Sequence, residues 1–96
     1  MTGLTAEQEV LVRRLLKERV PGREVRVFGS RVNGTPKTYS DLDLVVMGDG
    51  PVDPAVMALL REAFTESVLP FRVDVLDWSG LSPEFRAVID RGYEIL

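Results

Sequence analysis

Two carboxylates at Asp41 and Asp43, a third at Asp74, and a Gly29-Ser30 step are the residues of this chain best placed to do chemistry. On a strand, residues at i and i+2 face one side, about 6.5 Å apart along the backbone. That separation suits Mg²⁺ ions on oxygen ligands, which sit about 3.5–4 Å apart in two-metal sites. Gly29 ends one apolar run and Ser30 opens a short helical one, so backbone N–H groups and the helix dipole converge on a point that favours phosphate. Gly29 lets a phosphate approach the backbone, Ser30 offers a hydroxyl, and Arg31 adds a positive charge. Asp74 lies in a further apolar run, Phe71-Arg72-Val73-Asp74-Val75-Leu76. Three acids beside a phosphate cradle describe nucleotidyl transfer.

Each of these signals has a plainer use. Ser30 also serves as an ordinary helix cap, and aspartates before a strand serve as turn formers. Asp74 could instead form a buried salt bridge with Arg72 or Arg26. Against the plainer use of the pair, Asp41 and Asp43 run into a segment apolar on both faces, where an unpaired charge costs several kcal/mol. Asp77 falls on the face opposite Asp74 and reads as a cap or surface group.

The elements that must position these residues follow from periodicity. Thr5-Ala6-Glu7-Gln8 has the pattern of a capping box, and Leu11, Val12, Leu15, Leu16 and Val20 form a stripe at helical spacing. This predicts a helix over 6–19, ended by Pro21-Gly22. Alternation predicts a strand over 24–28, followed by a short helix over 30–33 ended at Gly34 and an exposed turn over 35–40. Residues 41–47 read as a central strand covered twice. Asp53-Pro54 caps a helix over 54–67, with Val56, Leu60, Ala63 and Phe64 on its inner face. A third strand spans 71–77. Ser82-Pro83 opens a helix over 83–91, with Phe85, Val88 and Ile89 inward and Gly92 as its C-terminal cap. Residues 93–96 form an apolar tail or a short strand. The fold class is α/β (α+β): a small mixed sheet of three to four strands flanked by helices, in one domain over 1–96.

Composition removes other chemistries. With no cysteine and no histidine, the chain has neither thiol chemistry nor a Ser-His-Asp triad, and no His-ligated zinc. Any metal must be a hard cation on oxygen. A net charge of −3 argues against a broad nucleic-acid face. No apolar run approaches the ~20 residues that span a bilayer. Met1 to Leu4 runs into a polar helix rather than a signal peptide, so a cytoplasmic location is expected.

The pattern G-S-x₁₀-D-x-D across strand, helix and strand, with an acid on the next strand, resembles the DNA polymerase β-like nucleotidyltransferase superfamily. It is most similar to the minimal nucleotidyltransferases, or MNT domains. The matching residues are Gly29, Ser30, Arg31, Gly34, Ser40, Asp41, Leu42, Asp43 and Asp74, and the resemblance covers nearly the whole chain. Asn33 and Tyr39 depart from the arginine and acidic residue of close relatives. The resemblance implies that Gly29, Ser30, Arg31 and Ser40 hold a nucleoside triphosphate and that Asp41, Asp43 and Asp74 bind two Mg²⁺ ions. It further implies that Asp74 helps to activate the attacking hydroxyl. It extends to transfer of AMP from ATP to a tyrosine of a HEPN-domain toxin, for which the chain is the antitoxin. No part of these residues is left over to hold an acceptor, so a partner is expected to present it. Other readings are a non-catalytic module that masks a partner, or transfer to a small molecule or an RNA end. Tyr93, Ile95, Leu96 and part of the first helix either meet the partner or complete the core.

Overall fold

Thr5 and Gln8 form the reciprocal cap that their spacing predicts: Thr5 Oγ1 accepts from the Gln8 amide at 3.1 Å, and Gln8 Oε1 accepts from the Thr5 amide at 3.0 Å. In the computed structural model, which describes residues 2–96, this cap starts α1 (Ala6–Arg19). The chain continues through β1 (Val25–Phe28), α2 (Ser30–Asn33), β2 (Leu42–Val46), α3 (Pro54–Thr65) and β3 (Val73–Asp77). A 3₁₀ turn (Trp78–Gly80), α4 (Pro83–Asp90) and β4 (Glu94–Ile95) complete it. Asp53 and Ser82 cap α3 and α4 through their side chains, each ahead of a proline in the first turn.

The sheet is mixed, with strand order β3-β2-β1-β4. β1 runs antiparallel to β2 and to β4, whereas β2 and β3 are parallel. A parallel pair cannot be joined by a tight turn, so α3 makes the crossover. One face of the sheet presents Val25, Val27, Leu42, Leu44, Val46 and Val75 to Val12 and Leu16 of α1 and to Met57, Leu60 and Phe64 of α3. These side chains form the main core, and α1 and α3 also contact each other.

The opposite face is covered by α4. Phe28 meets Phe85 edge-on, with ring centroids 6.0 Å apart, and Arg26 pairs with Asp90 at 3.4 Å. Val45 and Ile89 are fully buried outside the main core. β2 is therefore covered on both faces, as the apolar residues on each of them require.

Three details differ from expectation. α3 turns Met57 inward with Leu60 and Phe64, while Val56 is only partly buried. α4 buries only Ile89 fully, leaving Phe85 and Val88 exposed. It ends at Asp90 with Arg91 as its cap, and Gly92 does not take a positive φ. A Cβ at Gly92 would meet only the Asn33 carboxamide, the far end of an exposed side chain that can turn aside. The tail divides its roles: Leu96 packs on the core, Ile95 is exposed, and the Tyr93 ring lies 4.2 Å beneath the Arg26 guanidinium.

Candidate active site

The strand register brings the acids together. Phe28 of β1 faces Asp43 of β2, and Asp43 faces Asp74 of β3, forming one row across the face that α4 covers elsewhere. Strands neighbour each other at about 4.8 Å, so the Asp43 and Asp74 backbones are adjacent. Asp41 precedes Asp43 by two residues, just before β2 begins. The row lies at the end of β2 and β3 where both strands start, beside the turn that carries Gly29 and Ser30.

Gly29 is fixed twice. Its φ of 80° and ψ of −153° are open essentially to glycine alone. A Cβ at this position would also collide with the Asp43 carboxylate. The turn therefore runs directly against one of the acids. The first helical hydrogen bonds of α2 run from the Val32 and Asn33 amides to the Gly29 carbonyl, at 3.0 and 2.9 Å. The preceding amides of Ser30 and Arg31 stand ahead of that ladder, as first-turn donors do. The Ser30 side chain is exposed and has no hydrogen-bond partner among the described residues.

Arg31 takes a different part from phosphate contact. It is 1% exposed, and its guanidinium donates to the carbonyls of Ser40 (2.9 Å), Thr2 (3.1 Å) and Thr38 (3.4 Å). The same group stacks 4.3 Å over the Phe71 ring. Burial pushes its pKa down, with Asp41 acting in the opposite direction. A guanidinium whose fork is spent on three carbonyls ties down the loop over 35–40 and has no free edge to offer a ligand. Ser40 is bound into the same loop: its hydroxyl oxygen accepts from the Lys37 amide at 2.9 Å, and its carbonyl accepts from Arg31. Both residues shape the approach to Asp41 from behind the site.

Charge is concentrated on the row. Burial raises the Asp43 pKa, and Asp74 and Asp41 raise it further, while Arg72 pulls the other way. Arg72 Nη2 sits 3.1 Å from Asp74 Oδ2 and 3.4 Å from Asp41 Oδ2. The Asp74–Arg72 pair thus exists, but it is solvent-facing rather than buried, and Arg26 pairs instead with Glu24 and Asp90. Asp77 lies outside the site. Burial would raise its pKa, but hydrogen bonds from the Val52 amide and from the Ser79 hydroxyl and amide, with Arg23 nearby, bring it below the usual value.

The donor set is all oxygen and mutually repelling, which is the chemistry a hard divalent cation relieves. Among the described residues no three acidic side chains are drawn close enough to share one ion as they stand. The parallel register sets the Asp43 and Asp74 backbones side by side, with Asp41 two residues before Asp43. A groove of about 580 Å³ opens beside the row, bounded by Phe28, Asp43, Arg61, Arg72, Asp74 and Phe85. Phe85 had been expected to point inward, and nothing in its spacing distinguishes a groove wall from a core position. Arg72 was legible only as a partner for Asp74, because its reach to Asp41 depends on the parallel register.

The nucleotidyltransferase domain family matches the chain over residues 11–93. The chain belongs to the nucleotidyltransferase family. This nucleotidyltransferase is 43% identical over 93 residues to the probable protein adenylyltransferase MntA of Haemophilus influenzae, spanning 97% of this chain and 82% of that protein. Its fold is similar to a toxin–antitoxin crystal structure with AMP-PNP, at a TM-score of 0.74 and 24% identity, over 91% of this chain and 70% of that one. It is also similar to a structure of a tri-AMPylated Shewanella oneidensis HEPN toxin in complex with an MNT antitoxin. There the TM-score is 0.65 at 20% identity, over 91% of this chain and 69% of that one. At such identities the two structures establish the fold. Among the described residues no helix is long and apolar enough to cross a membrane.

Proposed function

We propose that this nucleotidyltransferase transfers AMP from ATP to a tyrosine hydroxyl of a HEPN-domain toxin and so acts as its antitoxin. The observation that carries the reading is the juxtaposition of Gly29 with Asp43 and of Asp43 with Asp74. The likeness to a probable protein adenylyltransferase supports a protein as acceptor. In this reading residues 1–96 work as one catalytic unit in the cytoplasm, where ATP is available.

The Ser30 hydroxyl and the amides of Ser30 and Arg31 bind the triphosphate. Asp41, Asp43 and Asp74 hold two Mg²⁺ ions, which when bound stabilise charge on the entering and leaving oxygens. The groove beside Asp74 admits the acceptor side chain. Asp74 takes the proton of the tyrosine hydroxyl as its oxygen bonds to the α-phosphorus. The bond from that phosphorus to the β-phosphate oxygen breaks, and pyrophosphate leaves.

The test is the intact mass of the co-expressed HEPN protein after incubation with this chain, Mg²⁺ and ATP. Additions in steps of one AMP, absent with Asp41→Asn/Asp43→Asn and mapped to tyrosine by fragmentation, support the reading. An unshifted mass with the complex intact refutes it in favour of simple masking.

A further inference from the structure

Arg72 is used differently from the arginines that tie down the backbone, and unlike Arg26, which is held by Trp78 and Tyr93 as well as by Glu24 and Asp90, it leaves its side chain largely exposed. Arg23, Arg31, Arg61 and Arg86 all direct their guanidinium groups onto backbone carbonyls. Arg72 touches only carboxylates, and one nitrogen reaches an acid of β3 and the acid just before β2, 3.1 Å from Asp74 and 3.4 Å from Asp41. Its backbone is fixed, since its carbonyl accepts from the Leu42 amide at 2.9 Å. The side chain itself is 72% exposed, so the charged end is free to pivot on a rigid base.

We propose that Arg72 is a resident counter-cation, which holds Asp41 and Asp74 while the site is empty and is displaced when a divalent cation enters. The proposal rests on the reading of Asp41, Asp43 and Asp74 as metal ligands. The physical reason is competition. A carboxylate oxygen at 3.1 Å from a guanidinium nitrogen has part of its acceptor capacity engaged. A cation drawn to the same oxygens brings two further positive charges to within a few ångströms of Arg72. The two occupants exclude each other, so the arginine weakens metal affinity while it shields the acids from one another. The displaced guanidinium has open solvent to turn into, since the side chain is already 72% exposed.

Mn²⁺ alone is the probe, with free ion counted by electron paramagnetic resonance in titrations of wild type, Arg72→Gln, Arg72→Lys and Asp43→Asn. Thermal melts confirm that each variant is folded. Arg72→Gln should bind Mn²⁺ about three- to tenfold more tightly than wild type, the range that two exposed ion pairs permit. Arg72→Lys, which keeps the charge, should stay near wild type and provides the comparison should Arg72→Gln fail to fold: a gain in Mn²⁺ affinity with lysine would then overturn the proposal. Equal or weaker binding by a folded Arg72→Gln variant also overturns it. Asp43→Asn separates the two layers of the argument. If it binds Mn²⁺ as well as wild type, the metal-ligand reading itself falls; if it loses binding while Arg72→Gln gains nothing, only the role of Arg72 falls.

Discussion

Asp43→Asn keeps the shape of the side chain and removes one of three negative charges from the row. The Asp43 side chain makes no hydrogen bond to another described residue, so the amide forfeits no partner. Two unit charges about 5 Å apart interact by roughly 3 kcal/mol at an effective dielectric constant near 20. Arg72 and solvent at Asp41 and Asp74 offset much of this, which leaves a net relief of about 1 kcal/mol. For a chain of this size that is a rise of about 4–8 °C in Tm. The pH dependence has a definite sign. Burial, then Asp74 and Asp41, raise the folded-state pKa of Asp43 above the ordinary 3.8. The folded chain therefore binds this proton more tightly than the unfolded chain, and stability falls as pH rises through the window between the two values. The gain from Asp43→Asn should be full at neutral pH and absent below 3.8. Scanning calorimetry in metal-free buffer at pH 7 and pH 3.5, with a Mg²⁺ titration at pH 7, reads all of this. Wild type should gain stability with Mg²⁺ and the variant should not. A metal-free Tm at pH 7 equal to or below that of wild type would refute the reasoning.

Gly29→Ala should cost about 2–3 kcal/mol or more through backbone strain, displace Asp43 and abolish nucleotide binding, as read by urea unfolding and calorimetric ATP titration. Arg31→Lys should lower stability by about 1–3 kcal/mol despite keeping the charge, because a single ammonium cannot serve three part-buried carbonyls; a denaturation midpoint near wild type would show that the fork is dispensable. Asp77→Asn should destabilise the protein at pH 7. The wild-type carboxylate, with its pKa held below 3.8, contributes stability that is present above that value and lost as pH falls through the lower folded one. The gap between the two proteins should therefore close in chemical denaturation at pH 2–3.

Much of this arrangement can be read before any coordinates are seen. The capping box at Thr5, the proline-led starts of α3 and α4 and the apolar residues on both faces of β2 are local signals, and each expected helix and strand appears within two residues of its expected bounds. Asp41 and Asp43 are legible because two charges leading into a buried strand need a reason. Arg31 was misread because its burial depends on Thr2, Thr38, Ser40 and Phe71 converging from four parts of the chain. The exposed Phe85 and the reach of Arg72 to Asp41 are likewise products of tertiary register, which the period of a helix or strand does not encode. Gly92 illustrates the same limit: its position suggests a left-handed cap, whereas the helix ends on Arg91 and Gly92 takes no positive φ.

The mixed sheet also bears on the order in which the site is built. Gly29, Ser30, Asp41 and Asp43 lie on or between two antiparallel neighbours within residues 25–46, a short contiguous stretch. Asp74 joins them only through a parallel pairing that waits for the whole α3 crossover. Closing the longer loop carries the greater entropy loss, so the third carboxylate should arrive after the other two, and pulsed hydrogen exchange should protect β1 and β2 before β3. A nascent chain would then present the cradle and its first two acids before it acquires the third. The carboxylate proposed as proton acceptor would in that case be the part of the site that folding itself withholds until last.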